Sequence, residues 1–275
     1  MSTLILGINS AYHESAACLL RDGEIVAAAE EERFTRIKHA KPARVDNAHE
    51  LPWHAIAFCL SQAGVALADV DHIGYSLDPE RRLRLNRDLP DTASVPEGDF
   101  GSVTGEEAFY HSNIEAGRLL SERMPRAQLH FIEHHRCHAA SAYTVSPFDE
   151  PTVVIALDGI GEFSSSWIGL GHEGRLKKLA RVPYPHSLGF LWEKFSELMG
   201  FDRYAGPGKM MGYGCLTDPY GELSGEDHLQ TMREIVQLNG DGSFFIDNDV
   251  MCFRSGDFAP LERRFGARRA KPVDR

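Results

Sequence analysis

The fold is decided by the stretch LILGINSAYHESAACLLRDGEIVAAA, which spans residues 4–29. The apolar run at its start predicts a buried strand, and the polar residues from Asn9 onward end that strand. Two further strands, 16–20 and 24–29, flank Asp22-Gly23, a dipeptide typical of hairpin turns because glycine adopts a positive φ without strain. Three consecutive strands therefore open the chain.

The same order of segments begins again at residue 152. The apolar run at 153–157 predicts a strand, two more strands follow at 163–169 and 175–182, and residues 187–199 have helical apolar spacing. Between the two copies we predict helices over 52–63, 106–124 and 134–143, strands over 71–77 and 129–132, and a long polar surface loop over 79–100.

The recurring β-β-β-α order predicts an α/β fold built from two copies of one unit, residues 1–148 and 149–275. The second copy is shorter than the first, and its tail from Asp257 onward is basic and has no strand pattern. We therefore expect the second half to lack its closing strands.

Composition narrows the class of protein. The 275 residues carry a net charge of −11, which argues against a general binder of nucleic acid or anionic membranes. Five scattered cysteines with no C-x-x-C pair argue against a disulfide framework and favour a reducing compartment. No apolar stretch approaches the roughly 20 residues of a membrane span, and the early polar Asn9-Ser10 argues against a signal peptide. A cytoplasmic protein is expected.

The densest group of chemically active residues is HHRCH, residues 134–138. His134 and His138 are four residues apart, so on a helix they share a face and can bind one metal ion. A chain with 13 histidines contains such a pair by chance about as often as not, so capping or core histidines are the alternative. The position directly after a buried strand favours a ligand site.

Two polar loops follow apolar strands. Asp158, beside Gly159 and Gly161, is placed to complete a metal site or to lie near a phosphate bound by backbone N–H groups. A plain hairpin turn is the alternative, since Asp-Gly is common in turns. In the first copy, His13 occupies the corresponding loop and is a candidate general base.

Two other segments have both a functional and a structural interpretation. The charged run at 30–39 is either a solvated face or a group of cations, including Lys38, that binds phosphate or carboxylate oxygens. The glycine-dense segment 206–212 is not a Walker A sequence, because no Ser or Thr follows its lysine. Lys209 either reaches a phosphate or lies where the chain only bends.

Taken together, five segments resemble the NodU/CmcH-type (TobZ-like) O-carbamoyltransferases, in that family's order. They are LGINSAYHESAACLLRDGEIVAAAEEERFTRIKH, IEHHRCHAASAYTVSPF, VVIALDGIGE, PYPHSLGFLWEKFSELMGF and GPGKMMGYG, and they cover the chain to about residue 214.

The resemblance implies a TsaD-like domain of the actin/Hsp70-like ATPase (ASKHA) fold, with duplicated halves of which the second is truncated here. It implies carbamoyl transfer to a hydroxyl of a small molecule (an antibiotic, another secondary metabolite or an oligosaccharide), with an iron-type divalent metal at the site. The donor is carbamoyl adenylate, made from carbamoyl phosphate and ATP by a YrdC-like C-terminal domain that is absent from this chain.

The same resemblance assigns roles to individual residues. It implies metal ligation by His134, His138 and Asp158, the last also being catalytic, and an acceptor-side role for His13. It implies that Lys38, Gly159, Gly161 and Lys209 bind the nucleotide or the activated donor.

The sequence is compatible with three functions. The first is a carbamoyltransferase that is truncated or is one part of a split enzyme, with a YrdC-like partner chain. The second is a non-catalytic fragment that binds metal or nucleotide. The third, which lacks a phosphotransfer motif in this sequence, is another ATPase of the same fold. Exposed apolar surface at the incomplete half further predicts a homodimer.

Overall fold

The computed structural model describes residues 2–86, 95–148, 150–203, 206–216, 228–253 and 255–270. The chain divides into two compact units, Met1–Cys137 and His138–Arg275. This division falls inside a helix, whereas the sequence pattern places the start of the second copy at residue 149. Among the described residues no helix is both long and apolar enough to cross a membrane.

The first unit is built on a five-stranded sheet in the order β3-β2-β1-β4-β5. Strands β1, β2 and β3 pair antiparallel, while β4 and β5 continue the sheet parallel to β1. The strands are β1 (Leu4–Asn9), β2 (Ala16–Arg21), β3 (Glu24–Glu30), β4 (His72–Tyr75) and β5 (Gln128–Phe131). All five predicted strands of this half are confirmed.

Helices α1 (Glu32–Thr35), α2 (Trp53–Ala63), α3 (Pro79–Asn86) and α4 (Val103–Arg123) complete the first unit. Leu6 and Ile73 of the sheet are fully buried and belong to one core with Ile56 of α2 and Leu120 of α4. Helix α2 ends at Gly64, whose φ of 66° suits a residue without a side chain. The core thus joins the sheet to the two predicted helices, which are confirmed.

The predicted loop over 79–100 is wrong for its first third, because Pro79–Asn86 is helical; residues 87–94 lie outside the described residues. This helix buries an arginine rather than an apolar stripe. Arg82 is 1% exposed, and its Nε and Nη2 donate to the buried carboxylate of Glu106 at 2.8 and 2.7 Å. Apolar periodicity could not indicate a helix whose buried side is an ion pair.

The second unit repeats the opening pattern. Strands β6 (Thr152–Leu157), β7 (Ser164–His172) and β8 (Arg175–Pro183) form an antiparallel sheet in that order, followed by α6 (Leu188–Leu198). The predicted three strands and helix are confirmed, and with them the mixed α/β class and the repeated β-β-β-α order. Helix α5 (His134–Tyr143), also as predicted, starts at the end of the first unit and continues into the second.

The remaining elements of the second unit are α7 (Gly206–Leu216), α8 (Leu229–Ile235), β9 (Val236–Leu238), β10 (Phe244–Ile246), α9 (Asn248–Met251) and α10 (Ala259–Phe265). Buried residues of α8, β10, α9 and α10 share one core with β8 and α6, which contribute Val182 and Leu198. Strands β9 and β10 pair only with each other, and no strand of the described chain pairs with the outer edge of β6. The basic tail, which showed no strand pattern, contains the helix α10.

The three-stranded sheet of the second unit buries one of its faces. Val154 and Ala156 of β6 pack with Tyr143 of α5 and Trp167 of β7. The alternate residues of β6 point to the other side and are 56–63% exposed: Val153, Ile155 and Leu157. The exposed apolar face matches the sequence expectation of such a surface, and dimerisation through it stays a prediction.

Candidate functional site

A buried lysine holds the loop between β1 and β2, residues 10–15, in place. The Lys41 side chain is only 4% exposed, and its Nζ donates to the Ser10 carbonyl at 2.8 Å, to the Ser10 hydroxyl at 3.0 Å and to the Asn47 carbonyl at 2.5 Å. Burial lowers the pKa of this ammonium to about 8, and the carboxylate of Glu50 opposes that shift. Lys41 therefore fastens the segment 36–47 to the β1–β2 loop.

The same two segments place the sequence-predicted His13 and Lys38 on one side of the first unit. His13 is half-buried, with its Nδ1 at 3.7 Å from Glu14 Oε2. Glu14 also contacts His39 in two ways. Its Oε1 lies 3.2 Å from His39 Nδ1, and its backbone N–H donates to the His39 carbonyl at 2.8 Å. Lys38 is exposed and lines a cavity of about 240 Å³ together with Glu14 and His39.

Sequence reasoning missed Glu14 and His39 as a pair. Both are non-glycine residues with φ of 60°, a left-handed conformation that costs energy and clusters at functional sites. Their contact joins positions 25 residues apart, so neighbouring residues could not reveal it. The available signal was that two polar segments, each containing a histidine, flank the same hairpin.

Helix α5 presents the predicted histidine pair. His134 is buried at its first turn, and its Nδ1 lies 2.9 Å from the carbonyl oxygen of Ser76 in the first unit. A carbonyl only accepts, so Nδ1 donates this hydrogen bond, and metal-binding histidines commonly donate one ring N–H to a carbonyl in this way. His138 lies one turn later, in the second unit, with half of its side chain exposed.

Within the second unit, His138 lies against the loop that follows β6. Residues 158–162, named the DG loop here, begin with Asp158, whose Oδ2 is 3.5 Å from His138 Nε2. Two ligands of one tetrahedral cation with bonds near 2.1 Å lie about 3.4 Å apart. An imidazole nitrogen and a carboxylate oxygen at this spacing are a donor set that fits a divalent transition metal.

The DG loop is held in place by the start of α6. Ser187 caps the helix by accepting from the Phe190 N–H at 3.1 Å, and its hydroxyl lies 2.7 Å from the Gly159 carbonyl. Helix and loop are so close that a Cβ on Gly189 would lie 2.4 Å from the nitrogen of Gly159. The orientation of Asp158 therefore depends on glycine at position 189.

The predicted glycines and the second lysine have different surroundings. Gly159 lies against the ring of Phe190, where an added Cβ would be 3.0 Å from Cε1, and the Gly161 N–H donates to the Ser164 carbonyl at 2.9 Å. Gly159 therefore serves the close packing of the loop against α6. The glycine-dense segment lies in the helix α7, and Lys209 is exposed on it.

A known protein family matches most of this chain. Residues 4–256 match the model of the carbamoyltransferase N-terminus. The chain is 34% identical over 289 residues to the uncharacterized protein sll1178 of Synechocystis, covering 98% of this chain and 43% of that protein. It is 31% identical over 242 residues to the nodulation protein NolNO of Sinorhizobium fredii, covering 86% of this chain and 32% of that one.

Among solved structures, YeaZ from Pseudomonas aeruginosa aligns with a TM-score of 0.38 and 16% identity, over 66% of this chain and 68% of that one. A likeness at this level supports no statement about function. The chain spans less than half the length of the two sequence relatives described above. The family match covers both units and both polar loops, and on that ground the chain belongs to the carbamoyltransferase N-terminus family.

Proposed function

We propose that this chain is the acceptor-side part of an O-carbamoyltransferase that acts on a hydroxyl of a small molecule. The acceptor oxygen attacks the carbamoyl carbon of carbamoyl adenylate, a C–O bond forms, and the bond from that carbon to the phosphate oxygen breaks. The products are the carbamate ester and AMP, and the hydroxyl proton passes to a base. The observation that carries the proposal is the His138–Asp158 pair in a chain of this family.

The metal-binding part of the proposal rests on His134, His138 and Asp158. Helical spacing supports the two histidines as ligands, and the 3.5 Å approach of His138 Nε2 to Asp158 supports a shared cation. An iron-type divalent cation is the proposed occupant, because imidazole and carboxylate ligands suit it. Such a cation supplies Lewis acidity, which draws electron density from donor oxygens.

The remaining roles belong to the chain's own groups. His13 is the proposed proton acceptor for the attacking hydroxyl, and Lys38 offers an exposed ammonium to the donor's phosphate. Gly159 and Gly161 are proposed to let the donor approach the DG loop backbone, with Asp158 beside them. Lys209, exposed on α7, is proposed to contact a phosphate of the nucleotide.

The supply of carbamoyl adenylate is assigned to a YrdC-like domain or partner chain. Support comes from the relatives, which are more than twice as long as the matched region. Nucleotide binding by the chain itself follows from the proposed ASKHA fold. If the chain instead is a fragment that binds metal or nucleotide without catalysis, transfer must be absent with every donor and partner.

The test uses the purified chain with synthetic carbamoyl adenylate and a panel of aminoglycoside, cephem, macrolide and oligosaccharide acceptors, with and without a YrdC-like protein. Carbamate ester is detected by mass spectrometry. We expect product in the presence of Fe²⁺ and at least a 100-fold loss in His138→Ala. His111→Ala, an exposed histidine of α4, is the control.

Product formation that is equal in His138→Ala and wild type would refute the metal assignment. Failure to form any ester, with metal and partner present and the chain folded, would leave the non-catalytic fragment as the function.

A further inference from the structure

Two polar residues lie side by side where two parallel strands of the first unit end. Strands β1 and β4 are parallel, with Ile8 opposite Tyr75. The next residues, Asn9 and Ser76, are therefore neighbours at the carboxyl ends of the two strands, where α/β proteins bind ligands. We propose that Asn9 and Ser76 are positioning residues that hold the proposed metal ligand His134 and the β1–β2 loop in one fixed arrangement.

Ser76 orients the ring of His134 through its backbone carbonyl. That oxygen accepts a hydrogen bond from His134 Nδ1 at 2.9 Å. In a neutral imidazole with this hydrogen bond, Nε2 carries the lone pair that a cation needs. Loss of such a partner typically weakens metal binding by roughly 10–100-fold, because the ring loses its orientation. The place of the Ser76 carbonyl therefore decides where the ring of His134 points.

The Asn9 side chain joins Ser76 to the β1–β2 loop. Its Nδ2 donates to the Glu14 carbonyl at 3.0 Å, and because a carbonyl only accepts, the amide nitrogen must lie on that side. The amide oxygen therefore faces Ser76, whose hydroxyl donates to it at 2.7 Å. One amide thus connects the residue that contacts His134 to the residue that follows His13.

The residue before His13 is held next to His134 as well. The Tyr12 ring lies edge-on to the His134 ring, with the two centroids 5.6 Å apart. The Tyr12 hydroxyl accepts from Arg82 Nη1 at 2.8 Å, and Arg82 is itself paired with the buried carboxylate of Glu106. Both neighbours of His13 are therefore connected to groups that contact His134.

The role of Asn9 and Ser76 rests on the proposed function, in which His134 binds the metal and His13 accepts the proton. It adds to that function the residues that fix these two groups relative to each other. A base must be placed accurately to take a proton from the attacking hydroxyl. A shared connection to the metal ligand supplies that accuracy.

The two side chains predict different defects. Ser76→Ala removes the hydroxyl but keeps the hydrogen bond from Asn9 to Glu14, so it loosens His134 and leaves the loop held. Asn9→Ala removes both hydrogen bonds, so it loosens the loop as well. Metal affinity therefore reports on the hold of His134, and kcat at saturating metal reports on the hold of the loop.

The test is an anaerobic Fe²⁺ titration by calorimetry, followed by carbamoyl transfer from synthetic carbamoyl adenylate at saturating Fe²⁺. The variants are Ser76→Ala, Asn9→Ala, His138→Ala and Ser76→Thr, the last of which keeps a hydroxyl. Ser146→Ala is the matched control, because this half-buried serine also donates its hydroxyl at 2.7 Å, to the Tyr143 carbonyl. Circular dichroism verifies that each variant is folded.

We expect Ser76→Ala to bind Fe²⁺ about 10-fold more weakly than wild type, and Ser76→Thr and Ser146→Ala to bind it as wild type does. At saturating Fe²⁺ the kcat of Ser76→Ala stays near that of wild type. The kcat of Asn9→Ala falls by roughly 10–100-fold, because the base is misplaced. A lower Tm in Ser76→Ala and Asn9→Ala with unchanged metal affinity and kcat would mean that the two residues only stabilise the fold.

The titration also separates this role from the proposed function. If Ser76→Ala and Asn9→Ala bind Fe²⁺ as tightly as wild type while His138→Ala loses it, the positioning role is refuted and the metal assignment stands. If those two variants bind Fe²⁺ weakly and His138→Ala binds it as wild type does, the positioning role stands and the His138–Asp158 pair is not the metal site. Because the titration needs no turnover, it decides between these outcomes even when no ester forms.

Discussion

Lys41 makes the stability of the first unit depend on pH in a direction that can be worked out. Its Nζ is buried among two carbonyls and one hydroxyl, all uncharged, and its pKa falls from the ordinary 10.5 to about 8. Below pH 8 the folded and unfolded chains both carry the proton, so this group adds no pH dependence. Between pH 8 and 10.5 the unfolded chain binds more protons, and stability must rise with pH.

The size of the effect follows from the gap between the two pKa values. At 1.36 kcal/mol per pH unit, the interval from 8 to 10.5 corresponds to about 3 kcal/mol of free energy of unfolding. Lys41→Met removes the titrating group. We therefore expect wild type to gain about 3 kcal/mol relative to Lys41→Met between pH 7.5 and 10.5, whatever the other groups contribute to both proteins.

The assay is urea unfolding at intervals of half a pH unit. Trp53 reports on the first unit by fluorescence once Trp167 and Trp192 of the second unit are replaced by Phe. Lys38→Met is the matched control, since it removes an exposed ammonium from the same segment as Lys41. Parallel pH profiles for wild type and Lys41→Met would refute the argument, because they would mean that the lysine titrates at the same pH in both states.

Two other predictions use the same kind of matched pair. Glu106→Gln removes the carboxylate charge from the buried ion pair with Arg82, so we expect a loss of about 3 kcal/mol in the free energy of unfolding by urea. Glu122→Gln, in an exposed pair on α4, costs less than about 1 kcal/mol. Similar losses in the two variants would contradict the role of the buried pair. Gly189→Ala pushes the DG loop away from α6, so we expect a lower Tm and a loss of bound metal. Gly208→Ala is the control: it has open space around it on α7 and raises stability by up to about 1 kcal/mol. An unchanged metal content in Gly189→Ala would show that the contact between Gly189 and the DG loop does not orient Asp158.

Much of the fold could be predicted because burial follows simple periods. The opening strands have apolar residues in runs or alternation, and α2, α4 and α6 have apolar residues at helical spacing. Those local signals survive folding, since the core needs them. Helix α3 escaped prediction because its buried group is Arg82, whose partner Glu106 is 24 residues away. The short strands β9 and β10 escaped because three residues carry too little pattern.

The candidate site likewise has parts that the sequence predicts and parts that it does not. The spacing of His134 and His138 is local, and helix α5 places them one turn apart as predicted. His138 approaches Asp158 because α5 lies against the DG loop. The sequence indicated this contact only through the position of each residue after a predicted strand. The Glu14–His39 contact and the anchoring by Lys41 are long-range features of a segment, 36–47, that has almost no regular structure. Neither helical nor strand periodicity of apolar residues describes such a segment.

The duplicated pattern gives the two polar loops a common explanation. A β-hairpin needs only about two residues in its turn, yet β1 and β2 are joined by residues 10–15, and β6 and β7 by residues 158–163. Both connections have the same length, and each contains a carboxylate beside an imidazole, Glu14 in the first and Asp158 in the second. Extra length held by specific contacts is typical of loops that bind ligands.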